Sequence, residues 1–206
     1  TSHVVVDAGL VGVSHARLAG QTGAELVTVN NLGGTAHLAN VRFDSGVTGV
    51  TLNLRDATLP STADVVNLDV RGVAQTYAFT LNGVETLNVD ASNAGTSVVL
   101  AVTDPALTGL KVANTGSASF DAGMLGANVG VVDFSGMTGG GSTSVVLSAA
   151  ATVGANITGT AGADGVTGSS LLDVINTGGG NDVVTASAGG DRINMGSGVD
   201  RFNAND

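Results

Sequence analysis

The chain has no cysteine and no tryptophan, and only 2 of its 206 residues are proline. Without cysteine, neither a disulfide nor a thiolate metal cluster can hold the fold. Aromatics make up 3 % although hydrophobic residues reach 43 %, so the apolar content is mainly Val, Leu and Ala. A globular core recruits rings to fill its centre, and small aliphatics suit a thin, repetitive core instead. Basic residues are scarce too: 7 Lys and Arg face 17 Asp and Glu, for a formal charge of -10. No basic footprint exists to neutralise phosphates, so nucleic acid is not expected as a partner. No run of 18 apolar residues occurs, and no membrane span is expected. There is no signal peptide and no initiator Met. The chain opens Thr1-Ser2-His3, closes at Asn205-Asp206 inside a repeat, and reads as part of a longer protein.

Glycine is what the chain has in quantity, with 32 copies among many Thr, Ser and Asn. Turns must therefore be numerous and often left-handed. Asp also far outnumbers Glu. Helical surfaces tolerate Glu better, whereas Asp prefers turns, caps and hard-cation sites.

One apolar phrase recurs: apolar, two residues, apolar, one residue, apolar. It appears at Ala24/Val27/Val29, Val47/Val50/Leu52, Ala63/Val66/Leu68, Val84/Leu87/Val89, Leu107/Leu110/Val112 and Val129/Val132/Phe134. Apart from one short step of 16, its period is about 22. Each copy ends in the alternation of a half-buried strand. A second alternating run lies between copies, such as Val98–Val102 or Val145–Leu147, and turn-rich stretches separate the two. An antiparallel sandwich would also space its strands this way. The longer recurrence favours solenoid rungs, each giving two or three short strands to parallel sheets. The expected division is 1–23 as an N-terminal cap or the tail of a preceding rung, 24–158 as rungs, and 159–206 as a tighter roll. Within the first part, Ala8 to Ala19 reads as a short helix or an irregular coil.

From residue 160 the pattern tightens. Asp164, Asp173, Asp182, Asp191 and Asp200 fall on a strict nine-residue period. Two residues after each stands an apolar one: Val166, Ile175, Val184, Ile193 and Phe202. Two residues before four of them stands glycine: Gly162, Gly180, Gly189 and Gly198. This is the nonapeptide G-G-x-G-x-D-x-U-x, with U a large apolar residue, which binds calcium in parallel β-rolls. The fullest copy runs from Thr177 to Thr185 and contains Gly178, Gly180, Asn181 and Asp182. Nine residues make a six-residue turn and a three-residue strand, so two repeats close a coil of 18. Asp164, Asp182 and Asp200 then line one edge, and Asp173 with Asp191 the other. A calcium ion (Ca2+) between stacked turns would take carboxylates and backbone carbonyls, the oxygen-rich shell it prefers. The expected metal residues are the five aspartates, Gly162, Gly178, Gly180, Gly189, Gly196, Gly198 and Asn181. The copy Gly168-Ser169-Ser170-Leu171-Leu172-Asp173 departs from the motif, lacking the glycine before its aspartate, and this sets Asp173 and Asp191 below Asp182 and Asp200.

With the phrase Gly83-Val84-Glu85-Thr86-Leu87-Asn88-Val89 and the run Gly159-Thr160-Ala161-Gly162-Ala163-Asp164 leading into the nonapeptides, the chain resembles RTX proteins secreted by type I systems. It resembles S-layer proteins of Caulobacter type more closely. The resemblance covers about residues 40–206. It implies a right-handed parallel β-solenoid that calcium folds outside the cell, at the bacterial surface. Its partners would be calcium, other copies of itself in a lattice, and cell-surface polysaccharide through regions outside this chain. An adhesin or biofilm-matrix segment is the alternative.

An enzyme is not expected. The chain has no H-E-x-x-H and no G-x-S-x-G, and its three histidines, His3, His15 and His37, stand apart from the nonapeptides. Arg42, Arg55 and Arg71, near Asp44, Asp56 and Asp69, read as surface salt-bridging rather than a lyase cluster. An ice-binding solenoid would show outward threonine ladders, and Thr48/Thr51 with Thr58/Thr62 keep no such register. Asp90, Asp121 and Asp133 follow rung strands without the glycine spacing; they read equally as Asx turns or as further calcium ligands.

Overall fold

The computed structural model describes residues 3–7, 15–18, 25–32, 38–43, 47–54, 64–72, 75–95 and 97–205. Among them the regular structure is all strand: nineteen strands, alternating in chain order between a ten-stranded and a nine-stranded sheet. Every pairing is parallel, and each strand lies beside the one two places earlier. The molecule is a right-handed parallel β-solenoid with two strands per coil. No described helix is long and apolar enough to cross a membrane.

His3–Asp7 and His15–Leu18 begin the two sheets, pairing with Glu25–Leu32 and Leu38–Phe43. The described N-terminal strands are thus part of a rung. Part of the stretch read as helix or coil, His15–Leu18, is strand. Ser14, His37, Asp44, Arg55, Asp56, Thr58 and Thr62 lie outside the described residues.

Burial alternates along the strands because their side chains point to opposite faces in turn. Along Val65–Gly72, Val66, Leu68 and Val70 are buried. Val66, Leu87, Leu110, Val132, Ile157 and Ile175 are successive partners in one inward column. Each such side chain taken from water contributes about 1.5–3 kcal/mol. Phe120 and Phe134, both fully buried, meet across the core from opposite sheets, with ring centroids 6.1 Å apart and planes tilted by 53°. Beyond them the buried core holds no further ring: Phe202 on the last coil is exposed, and the core is made of Met137, Leu147 and Val, Ile and Ala side chains. The coil shortens with it: partners such as Val98 and Phe120 are 22 apart, while those of the C-terminal turns are 18 apart.

The short step in the apolar phrase also has a structural cause. The copy ending in Val50 and Leu52 lies in Val47–Leu54 of the larger sheet, and the next, Val66/Leu68, in Val65–Gly72 of the smaller one. All later copies stay in that smaller sheet. The phrase changes sheets once, and the half-coil jump is the step of 16.

A threonine ladder, not expected from the sequence, is present. Thr28, Thr51, Thr80 and Thr103 are successive partners in one outward column. Unequal coil lengths hide it, because Thr51 and Thr80 are separated by a longer loop than the other pairs. On the other sheet, asparagines stack likewise: Asn67 donates to Asn40 at 2.9 Å and Asn88 to Asn67 at 2.8 Å. Arg71 pairs with Asp69 at 2.6 Å, the surface ion pair expected there.

Candidate metal centre

The nonapeptides form the three narrow C-terminal coils. Val166, Val184 and Phe202 are consecutive partners in the larger sheet, and Ile157, Ile175 and Ile193 in the smaller. An 18-residue coil therefore brings Asp164, Asp182 and Asp200 onto one edge and Asp173 and Asp191 onto the other. Asp173, Asp182, Asp191 and Asp200 stand just before a strand begins, and Asp164 is the first residue of its strand.

A carboxylate ladder joins the coils. Oδ1 of Asp182 accepts the Asp164 N–H at 2.9 Å, and Oδ1 of Asp200 accepts the Asp182 N–H at 3.1 Å. On the opposite edge Oδ1 of Asp191 accepts the Asp173 N–H at 2.9 Å. Asp173 in turn accepts from Ala155 N–H at 2.8 Å, and Asp164 from Thr143 N–H at 3.0 Å and Thr143 Oγ1 at 2.6 Å. Every nonapeptide aspartate thus caps an amide of the preceding coil with one oxygen. The wide rungs use the same device. Asp104 accepts Val84 N–H at 2.8 Å, and Glu85 Oε2 accepts Asp64 N–H at 2.8 Å.

The second oxygen differs from site to site. At Asp164, Oδ2 accepts the Thr160 N–H at 2.7 Å, and at Asp173, Oδ2 accepts the Ser169 N–H at 2.7 Å. At Asp182, Oδ2 has no partner. The residue is 1 % exposed, and among the described residues this is the one buried side-chain polar atom without a hydrogen bond. Buried carboxylate oxygens are almost always satisfied, so this orphan is where an ion or an ordered water would find an acceptor. Asp191 and Asp200, on the outermost turns, are only partly buried.

The glycines allow the turns to stack this tightly. Gly178, Gly180, Gly189, Gly196 and Gly198 all have positive φ, whereas Gly162 does not. At Gly180 (φ 115°) a Cβ would collide with the Gly162 carbonyl oxygen and lie 2.6 Å from its carbon. At Gly162 a Cβ would lie 2.7 Å from the Gly141 carbonyl oxygen. Carbonyl groups of one turn therefore press on the backbone of the next. Asn181 is exposed, and its Oδ1 accepts the Val199 N–H at 2.9 Å, again tying one coil to the next.

The donors gathered here are carboxylate and carbonyl oxygens, a hard set that suits calcium over thiolate- or imidazole-seeking metals. No cluster of three or more His, Cys, Asp or Glu side chains in metal-holding range occurs among the described residues. A cation at Asp182 would depend chiefly on its orphan oxygen and on main-chain carbonyls. The residues present fit such an ion.

Asp90, Asp121 and Asp133 accept the N–H two residues on, at 2.9 Å each, from Ser92, Gly123 and Ser135. They form Asx turns. Asp104, like Asp64, is a buried aspartate outside the nine-residue period; it is 5 % exposed. Desolvation by burial holds its carboxyl above the ordinary value of 3.8, against opposing hydrogen bonds from Ala106, Val84 and Gly83 amides. Burial likewise raises Asp164, against bonds from Thr143 and Thr160. An acid raised in the folded state binds its proton more readily there than in the unfolded chain. Asp104 thus adds stability as pH falls through its folded value and withholds it at neutral pH. Wild-type stability relative to Asp104→Ala is therefore expected to rise as pH drops from neutrality towards 3.8, read by urea unfolding in EGTA.

Compared with protein-family models, with curated proteins and with solved structures, the chain matches none.

Proposed function

We propose that this chain is a structural segment of a calcium-dependent bacterial surface layer. Calcium bound between its stacked Gly- and Asp-rich turns drives folding outside the cell and assembly with further copies. The orphaned Oδ2 of Asp182, buried between the coils of Asp164 and Asp200, is the observation that carries the reading. A buried charge lacking a partner is costly, and a divalent cation removes the cost. The cation's contribution would be electrostatic: it neutralises acidic turns and fixes their spacing. The residues around it hold and orient the turns. Extracellular modules bind calcium at about 10⁻⁴–10⁻³ M, so secretion from calcium-poor cytosol would time folding to the outside. An extended stack of coils also has the regular polar faces that a lattice subunit needs. The resemblance to S-layer proteins points the same way.

Thermal melting with calcium and with EGTA tests the metal. At a hundredfold excess over Kd, each site is expected to add about 2.7 kcal/mol and to raise Tm by several degrees. An identical melt in EGTA would sink the proposal. Electron microscopy of the calcium-loaded protein tests the assembly. Two-dimensional sheets are expected for a layer protein, whereas dispersed rods would favour the adhesin alternative.

A further inference from the structure

The residue four places before each aspartate separates the closed turns from the open one. Before Asp164 it is Thr160, before Asp173 it is Ser169, and before Asp182 it is Gly178. The Thr160 hydroxyl oxygen lies 3.0 Å from Oδ1 and 3.1 Å from Oδ2 of Asp164. Ser169 Oγ lies 3.1 Å from Oδ1 and 3.2 Å from Oδ2 of Asp173. Each hydroxyl straddles the carboxylate, the position a bidentate cation takes. Each also accepts an amide from its own turn, Gly162 N–H at 2.9 Å and Leu171 N–H at 3.1 Å, so the oxygen is fixed in place.

The preceding residue supports the arrangement. Gly159 and Gly168 precede the two hydroxyl residues, and a Cβ on either would fall within 2.6 Å or 2.9 Å of the inner carboxylate oxygen. Before Gly178 stands Thr177, whose hydroxyl turns away to donate to the Met195 carbonyl at 2.9 Å. The order Gly-Thr or Gly-Ser therefore closes a carboxylate from within its own turn. The order Thr-Gly supplies neither a hydroxyl nor an amide to Asp182 Oδ2. Asp164 and Asp173 are 2 % and 0 % exposed, so without these groups they too would hold buried, unpartnered oxygens. Ser187 occupies the same place before Asp191 without bonding to it, on an outer turn where that carboxylate is partly open to water.

We infer that Thr160 and Ser169 replace the cation at Asp164 and Asp173, so that the first coil of the roll folds without metal. That coil would be a metal-independent base on which the calcium-dependent turns from Asp182 onward are laid. The contrast rests on the proposed cation at Asp182, but the hydroxyl closure can be tested apart from it.

Hydrogen exchange by mass spectrometry on the whole chain separates the two. In EGTA, strands Asn156–Thr160, Asp164–Thr167 and Val174–Gly178 are expected to stay protected. Val183–Ala186 and Arg201–Ala204 are expected to exchange freely until calcium is added. The double variant Thr160→Val/Ser169→Ala is expected to speed exchange of Asn156–Gly178 in EGTA by about tenfold or more, through lost buried hydrogen bonds. The inference is overturned if wild-type Asn156–Gly178 exchanges freely in EGTA, or if the variant keeps wild-type protection. If the hydroxyl variant behaves as expected but calcium leaves Val183–Ala204 unchanged, the cation reading of Asp182 fails and the hydroxyl closure stands.

Discussion

Asp182→Asn is expected to stabilise the metal-free chain and to abolish its response to calcium. The substitution keeps the side chain's shape and the acceptor that binds Asp164 N–H at 2.9 Å. What changes is the second oxygen, which is buried without a partner. A buried amide is far cheaper than a buried unpaired carboxylate. A gain of about 1–2 kcal/mol in EGTA follows, together with loss of the calcium-dependent increment of about 2.7 kcal/mol. Asp182→Ala differs instructively, because it also strips the Asp164 amide of its acceptor and should destabilise in both conditions. Urea unfolding of the three proteins, with calcium and with EGTA, reads both effects. A calcium response in Asp182→Asn equal to that of the wild type would move the metal elsewhere.

The second large effect is steric. Gly180→Ala places a methyl into the carbonyl group of Gly162 on the coil beneath, at a backbone φ of 115°. Left-handed conformation alone costs a non-glycine residue about 1–2 kcal/mol, and overpacking adds about 1–3 kcal/mol. Gly190→Ala is the matched control, since Gly190 also has positive φ (75°) but a Cβ there meets nothing within 4 Å. The Gly180 variant is expected to lose roughly 2–5 kcal/mol and the Gly190 variant only the conformational part. Calorimetry in saturating calcium makes the comparison. Equal losses would show that the turns can separate to admit a side chain.

The nine-residue period determined, before any coordinates, that the C-terminal coils stack every 18 residues and that their aspartates line two edges. That is backbone arithmetic: a strand alternates with period two, a fixed turn length closes the coil, and the apolar residue two places after an aspartate faces inward, buried at Val166, Ile175 and Val184 but exposed at Phe202 on the last coil. Composition likewise determined a thin aliphatic core, since few rings are available to fill a thick one. Loop length, by contrast, breaks any fixed period. The apolar phrase therefore changed sheets unseen at Val66, and the Thr28–Thr103 column stayed hidden.

Only the tertiary structure decided which carboxylates are closed and which is open. Asp164 and Asp182 share one spacing and one edge, and each follows a glycine two residues earlier; the fuller repeat around Asp182 makes it the central member of the edge. A hydroxyl oxygen 3.0 Å from one carboxylate and no donor at Oδ2 of the other sets them apart. Thr160 and Ser169 stand where the nonapeptide has a glycine, and Asp104 lies outside the period, so none of the three belongs to the pattern that recurs. Periodicity reports what recurs along the chain; satisfaction of a buried charge depends on the single neighbour that folding brings to it.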